Sequence, residues 1–244
     1  MPRCGSPLSF GKAFKEKHGV SPKAIRQAVK LGASEREQVE NRLLIVRNSD
    51  KIVYMNRLVI ASENKGKLRE IRDMLGNIYD VVPMSEAGFV GDIEETGETF
   101  RENAVIKAQT VAKALNCDAL GDDSGLCVDA LNGAPGVYSA RYAGVHGDDA
   151  ANRKLLLENM KGKTDRSAKF VCCMALCSAD GKTVVGTGET KGKIGYKEEG
   201  NNGFGYDSVF VSDDLGKSFG IASEDEKNAI SHRKRAIVDL LGKL

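Results

Sequence analysis

Two adjacent acids, Asp122 and Asp123, meet a hydroxyl at Ser124 in the run GDDSGLCVDALNGAPGVYSARY, residues 121–142. Carboxylates supply the oxygen ligands that a hard cation prefers. Arg141 lies in the same run, and a guanidinium suits an anion. A metal beside an anion is equipment for chemistry on a phosphate ester. Glu94, Glu95 and Glu98 form a second acidic cluster upstream. Converging clusters of like charge repel each other unless a cation lies between them. Asp122 and Asp123 both qualify as ligand and as the group that orients or deprotonates water. Ser124 has no histidine in its motif to make it a nucleophile.

Other runs offer binding groups. Ser62, Glu63, Asn64, Lys65, Gly66 and Lys67 join an apolar segment to the start of a helix. Backbone N–H groups at such a start attract phosphate, and the helix dipole adds to this. Gly66 permits close approach, while Lys65 and Lys67 bring positive charge. Taken alone, the run reads equally well as the first turn of a solvated helix. Phe204, Gly205, Tyr206 and Asp207 form a glycine-flanked turn. Phe204 offers a face on which a purine can stack, and Asp207 offers an acceptor for a ring N–H. A core aromatic in a tight turn has the same appearance. His232 and Arg233, with Lys227 five residues before His232, present donors to a carbonyl-rich ligand. A buried donor left unpaired costs about 1–3 kcal/mol, so donors facing a 6-oxo group reject adenine's amino group. Guanine shares the oxo group and is not rejected this way. Asn103 and Lys107, four apart, share a helix face, where Lys107 can neutralise charge near a metal.

Five of these runs, in order, resemble the inosine/xanthosine triphosphate pyrophosphatase family. They are residues 58–70 (LVIASENKGKLRE), 94–107 (EETGETFRENAVIK), 121–142, 203–210 (GFGYDSVF) and 227–233 (KNAISHR). The resemblance extends over residues 56–244. It implies an α/β fold, a long curved mixed β-sheet flanked by helices, in two lobes around a central nucleotide-binding cleft. It implies Mg²⁺-dependent hydrolysis of ITP, dITP and XTP to the monophosphate and pyrophosphate, which cleanses the nucleotide pool. By the family pattern Glu94 and Asp123 hold Mg²⁺, and Asp123 is the proton acceptor. The same pattern gives substrate contacts to Ser62, Glu63, Asn64, Lys65, Gly66, Lys67 and Ser124. It gives further contacts to Phe204, Gly205, Tyr206, Asp207, Lys227, His232 and Arg233. A homodimer is also implied. Three departures stand out: Ser62 replaces the usual Thr, Ser208 the usual Pro, and Lys234-Arg235 the usual Gly plus basic residue. A broader pyrophosphatase acting on pyrimidine or modified nucleotides is the alternative within the same class.

The elements that must position these groups follow from local pattern. Residues 58–61 read as a strand, and Asn64 caps a helix through Met74. Residues 78–82 read as a strand ended by Pro83, and residues 85–98 as a loop. Residues 99–115 form an amphipathic helix with Phe100, Ala104, Ala108, Val111 and Leu115 on one face. Residues 119–120 and 126–130 read as short strands on either side of an Asp-Asp-Ser turn. Residues 148–160 read as a helix. Residues 170–179 and 182–190 read as a hairpin about Asp180-Gly181, and Val209-Phe210 starts another strand. Ser223 and Glu226 make a capping box for a helix ending near Leu241.

Composition bounds the class. The chain has 244 residues, 41% hydrophobic and 29% charged, as in a soluble globular protein. No apolar run approaches a membrane span, and no signal-peptide core opens the chain, so a cytoplasmic protein is expected. Residues 1–55 hold 11 basic and 5 acidic residues, a balance of +6 that leaves −4 for the rest of a chain totalling +2. That balance favours a small anionic substrate held through a metal over a polynucleotide. Six cysteines lack the spacing of a disulfide framework or a zinc finger. Residues 1–54 read as an N-terminal extension, poorly ordered or separately packed, before a pyrophosphatase domain at 55–244 for which Met55 is a sufficient start. Within the extension, residues 6–26 resemble the tail of an AraC-type helix-turn-helix regulator. A DNA-binding regulator is therefore the rival from another class, although one such remnant has no partner helices to dock it.

Overall fold

The fold comes from a computed structural model that describes residues 43–48 and 51–244, with side chains from Asn56 onward. The run at 6–26, and most of the expected extension, lie outside the described residues. Seven strands form one mixed sheet: β1 (Leu43–Asn48), β2 (Lys51–Ile60), β3 (Tyr79–Pro83), β4 (Ala119–Val128), β5 (Ser167–Cys177), β6 (Thr183–Ile194) and β7 (Phe210–Ser212). The order is β1-β2-β4-β5-β6-β7, with β3 also on β2. Helices α1 (Lys65–Leu75) and α2 (Phe100–Leu115) make the crossovers after β2 and β3. A crossover helix returns the chain in the same direction, and β2 accordingly pairs parallel with both β3 and β4. The remaining pairs are antiparallel. Helices α3 (Asp149–Asn159), α4 (Glu224–Ile230) and α5 (His232–Leu241) complete the α/β layers. Among the described residues, no helix is long and apolar enough to cross a membrane.

Strand alternation sorts the core. Leu58 and Ile60 join Leu68, Ile71 and Leu75 of α1 and Ala236, Ile237 and Leu240 of α5. Val59, between them, points the other way and joins Ala104, Ala108 and Val111 of α2. A third cluster farther along the strands collects Leu126, Leu156, Phe170, Val209, Phe210 and Phe219. Of the five described cysteines, Cys117, Cys172, Cys173 and Cys177 are buried.

Three local expectations need correction. The strand expected at 58–61 is, as far as Ile60, the last part of the longer β2. The Asp-Asp-Ser segment is not a turn. It runs through the middle of β4, with Asp122 opposite Met174, Asp123 opposite Cys173 and Ser124 opposite Cys172. Polar residues there suggested a break, but buried cations satisfy them and the ladder continues. The helix expected after Ser223 stops at Ile230 and restarts at His232. Ser231 adopts ψ 152°, and its hydroxyl accepts from the Lys234 N–H at 3.1 Å, capping the new helix. This break puts His232 and Arg233 in a first turn.

Two glycines set how closely helices approach the sheet. A Cβ at Gly121 would collide with the backbone of Ala104 and Ala108, so α2 lies directly on β4. A Cβ at Gly188 on β6 would collide with the His232 carbonyl and the Ala236 N–H. The start of α5 is therefore seated on a glycine. Gly188→Ala should cost about 1–3 kcal/mol and lower the thermal midpoint by roughly 3–10 °C. A scanning calorimetry midpoint equal to that of the parent would show that α5 does not rest there.

Candidate active site

Because side chains alternate along β4, its neighbouring acids face opposite sides of the sheet. Asp122 looks toward α1 and α5. Its Oδ1 contacts Lys67 Nζ at 2.7 Å, and its Oδ2 accepts from Arg233 Nε at 2.7 Å. Ser124, two residues on and on the same face, donates its hydroxyl to Asp122 Oδ1 at 2.9 Å and accepts from Arg233 Nη2 at 2.9 Å. Burial would raise the Asp122 carboxyl, but Arg233 and Lys67 hold it well below the usual carboxylate range. Both oxygens are committed to protein cations.

Asp123 looks toward α2. Its Oδ1 accepts from Lys107 Nζ at 2.8 Å, and its Oδ2 lies 3.4 Å from Asn103 Nδ2. Lys107 also contacts Glu95 Oε1 of the acidic loop at 3.0 Å. One ammonium thus bridges the two acidic clusters. Burial raises the Asp123 carboxyl above its ordinary range, and Lys107 and Lys67 offset this only in part. Burial pulls the Lys107 ammonium down, yet Asp123 and Glu95 reverse the shift and keep it charged. Glu94 is exposed, with no hydrogen bond or ion pair among the described residues. Asn103 and Lys107, which pattern alone leaves open as plain surface polarity, are both buried.

The arrangement continues as a chain of alternating charge. Arg233 Nη1 donates to Glu70 Oε2. Glu70 Oε1 contacts Lys227 Nζ at 2.7 Å, and Lys227 Nζ donates to Asp207 Oδ2 at 2.6 Å. Lys67, Asp122, Arg233, Glu70, Lys227 and Asp207 therefore connect the start of α1 to the glycine-flanked turn. Burial would raise the Glu70 carboxyl, but Arg233 and Lys227 bring it down to about 2. Burial raises Asp207 despite Lys227. The sequence motifs do not single out Glu70. Its signal was an acid on the helical stripe Lys67, Glu70, Ile71, Met74, where an unpaired charge would not be tolerated.

The binding groups gather around this chain. Asn64 caps α1, accepting from the Lys67 N–H at 3.0 Å, and Ser62 Oγ accepts from the Asn64 N–H at 3.2 Å. Glu63 instead turns away to Ser85, accepting from its N–H and hydroxyl at 3.0 Å each. Lys65 is exposed. The Phe204 ring packs on Gly66, where an added Cβ would come within 2.5 Å of Phe204 Cδ1. Lys227 Nζ sits 4.7 Å from the centre of that ring. Tyr206 is buried, its hydroxyl donating to the Ser139 carbonyl at 2.9 Å. His232 is buried and stacks on Phe170 at 4.8 Å. Burial and the neighbouring Arg233 push its imidazole well below the ordinary range, so it is neutral. Its Nδ1 is buried without a hydrogen-bond partner among the described residues. Arg233 has three of its five donors committed, to Asp122, Glu70 and Ser124.

Residues 58–243 match the family model described as the Ham1 family. The chain belongs to the Ham1 family. A Bacillus licheniformis relative named dITP/XTP pyrophosphatase is 47% identical over 189 residues, spanning 76% of this chain and 96% of its own length. A Bacillus subtilis protein of the same name is 44% identical over 192 residues, 78% of this chain and 97% of its own. The solved Staphylococcus aureus Ham1 protein superposes with a TM-score of 0.69 at 44% identity, covering 78% of this chain and all of its own. A HAM1 protein from Coxiella burnetii gives a TM-score of 0.70 at 41% identity, with 78% of this chain and 100% of its own covered. The likeness reaches the Ham1 fold as well as the sequence, so the mixed α/β sheet is a family property.

Proposed function

We propose that this chain is a nucleoside triphosphate pyrophosphatase that hydrolyses non-standard purine nucleotides, ITP, dITP and XTP, with Mg²⁺ as cofactor. One observation carries the reading: Asp123 shares the Lys107 ammonium with an acid of the facing loop, while Asp122 is withdrawn into buried ion pairs. The names of the relatives support the same substrate class. Water attacks the α-phosphorus and its proton passes to Asp123. The bond from that phosphorus to the bridging oxygen breaks, and pyrophosphate leaves with the electron pair. A carboxyl raised by burial is a better base than an exposed aspartate. Lys107 and Asn103 orient it.

The donor set fits Mg²⁺. The acids on offer, Asp123 and the loop glutamates, supply hard carboxylate oxygens, and Asp123 and Glu95 flank one ammonium, Lys107. Mg²⁺ typically takes one or two carboxylates and completes its shell with water and substrate phosphates. By the family pattern Asp123 and Glu94 would hold it: Asp123 Oδ2 has only the 3.4 Å contact to Asn103, and Glu94 is exposed. When bound, it would offset the triphosphate charge and raise the acidity of water. The first N–H groups of α1, with Lys65, receive phosphate oxygens. Phe204 stacks on the purine, and His232 Nδ1 supplies a hydrogen bond that the buried imidazole otherwise lacks.

The test is a substrate panel of ITP, XTP, GTP and ATP, with Mg²⁺ and with a chelator. Pyrophosphate release should favour ITP and XTP over ATP by about one to two decades, and the chelator should stop it. Orthophosphate as the only product would contradict the cleavage site.

A further inference from the structure

The turn carrying Phe204 is also gripped from outside the charge chain, by α3. Asp149 Oδ2 accepts from the Gly205 N–H at 2.9 Å, and Arg153 Nη1 donates to the Gly205 carbonyl at 2.9 Å. Four residues apart, the two side chains share a face of α3 and hold both polar groups of one residue. Arg153 Nε also donates to Glu198 Oε2 at 2.8 Å, and Ser208 Oγ donates to the same oxygen at 2.9 Å. One planar guanidinium therefore restrains the turn at Gly205 and, through Glu198, at Ser208. Proline, expected at 208 from the family resemblance, would restrain its own φ covalently. Serine does not, and here its hydroxyl is tied down instead.

We propose that Arg153 and Asp149 are positioning residues for purine binding, holding the 203–208 turn so that the Phe204 face is presented to the base. This rests on the purine reading of the site. An exposed ion pair alone would matter little. The half-buried bond to the Gly205 carbonyl, which sits directly beside Phe204, is what transmits the effect.

Steady-state ITP hydrolysis should be compared for the parent protein, Arg153→Ala, Phe204→Ala and the double variant. Arg153→Ala should raise KM about tenfold and keep kcat within about twofold, the signature of lost uniform binding. The double variant should show no larger KM than Phe204→Ala, because both changes act through one ring. Ser208→Ala, a milder change, should raise KM about two- to threefold. Parent hydrolysis with unchanged KM in Arg153→Ala and Ser208→Ala would overturn this proposal alone. Effects of Arg153→Ala and Phe204→Ala that multiply in the double variant would also overturn it. A parent protein inactive on ITP would overturn the substrate reading and this inference with it.

Discussion

Asp123→Asn should lower pyrophosphate release from ITP by at least about a thousandfold, the upper part of what a positioned general base contributes. Asparagine can still accept from Lys107, which keeps Glu95 as a counter-ion at 3.0 Å, and burial already disfavours the Asp123 charge, so the thermal midpoint should move little. Asp122→Asn should behave in the opposite way. It removes the charge that Lys67 and Arg233 neutralise at 2.7 Å each, and a buried ion pair broken on one side costs about 3–5 kcal/mol. Coupled pyrophosphate assays and thermal melts on both variants separate a chemical role from a supporting one. Near-parental turnover in Asp123→Asn would remove the base from the mechanism.

Glu70→Gln should produce the second large effect. It leaves Arg233 and Lys227 buried with one anion fewer between them, at a cost of about 3–5 kcal/mol near neutral pH. The pH dependence has a definite sign. The folded Glu70 carboxyl lies at about 2 against an ordinary 4.5, so its stabilisation is present above the ordinary value and is lost as pH falls toward 2. Urea denaturation at a series of pH values should therefore show a wide gap between parent and variant at pH 7. The gap should narrow below roughly pH 4.5. A gap independent of pH would mean that Glu70 contributes shape rather than charge.

Glu70 also illustrates a general difficulty. Its role depends on Arg233 and Lys227, which lie more than 150 residues away in the chain. No local pattern predicts an ion pair across that separation. Asn103 and Lys107 are similar: their shared face was plain from spacing, but their burial required β4 to lie against α2 at Gly121. Asp-Asp-Ser has the look of a turn for the converse reason. Polar residues signal a break when water must satisfy them, yet here buried cations do so and the strand runs through.

Periodicity, caps and turn residues were sufficient for the mixed α/β fold, because each is a short-range preference of the backbone. Asn64 capping α1, the Thr99 start of α2 and the Ser223–Glu226 capping box are all local hydrogen bonds. Five ordered runs of residues were sufficient for the family. How the two adjacent acids are partnered was beyond that reach. Strand alternation sends them to opposite faces, but only the packing of α1, α2 and α5 determines which face holds Arg233 and which holds Lys107. Electrostatic partnership falls off with distance in space, and folding alone brings residues remote in the chain to within hydrogen-bonding reach.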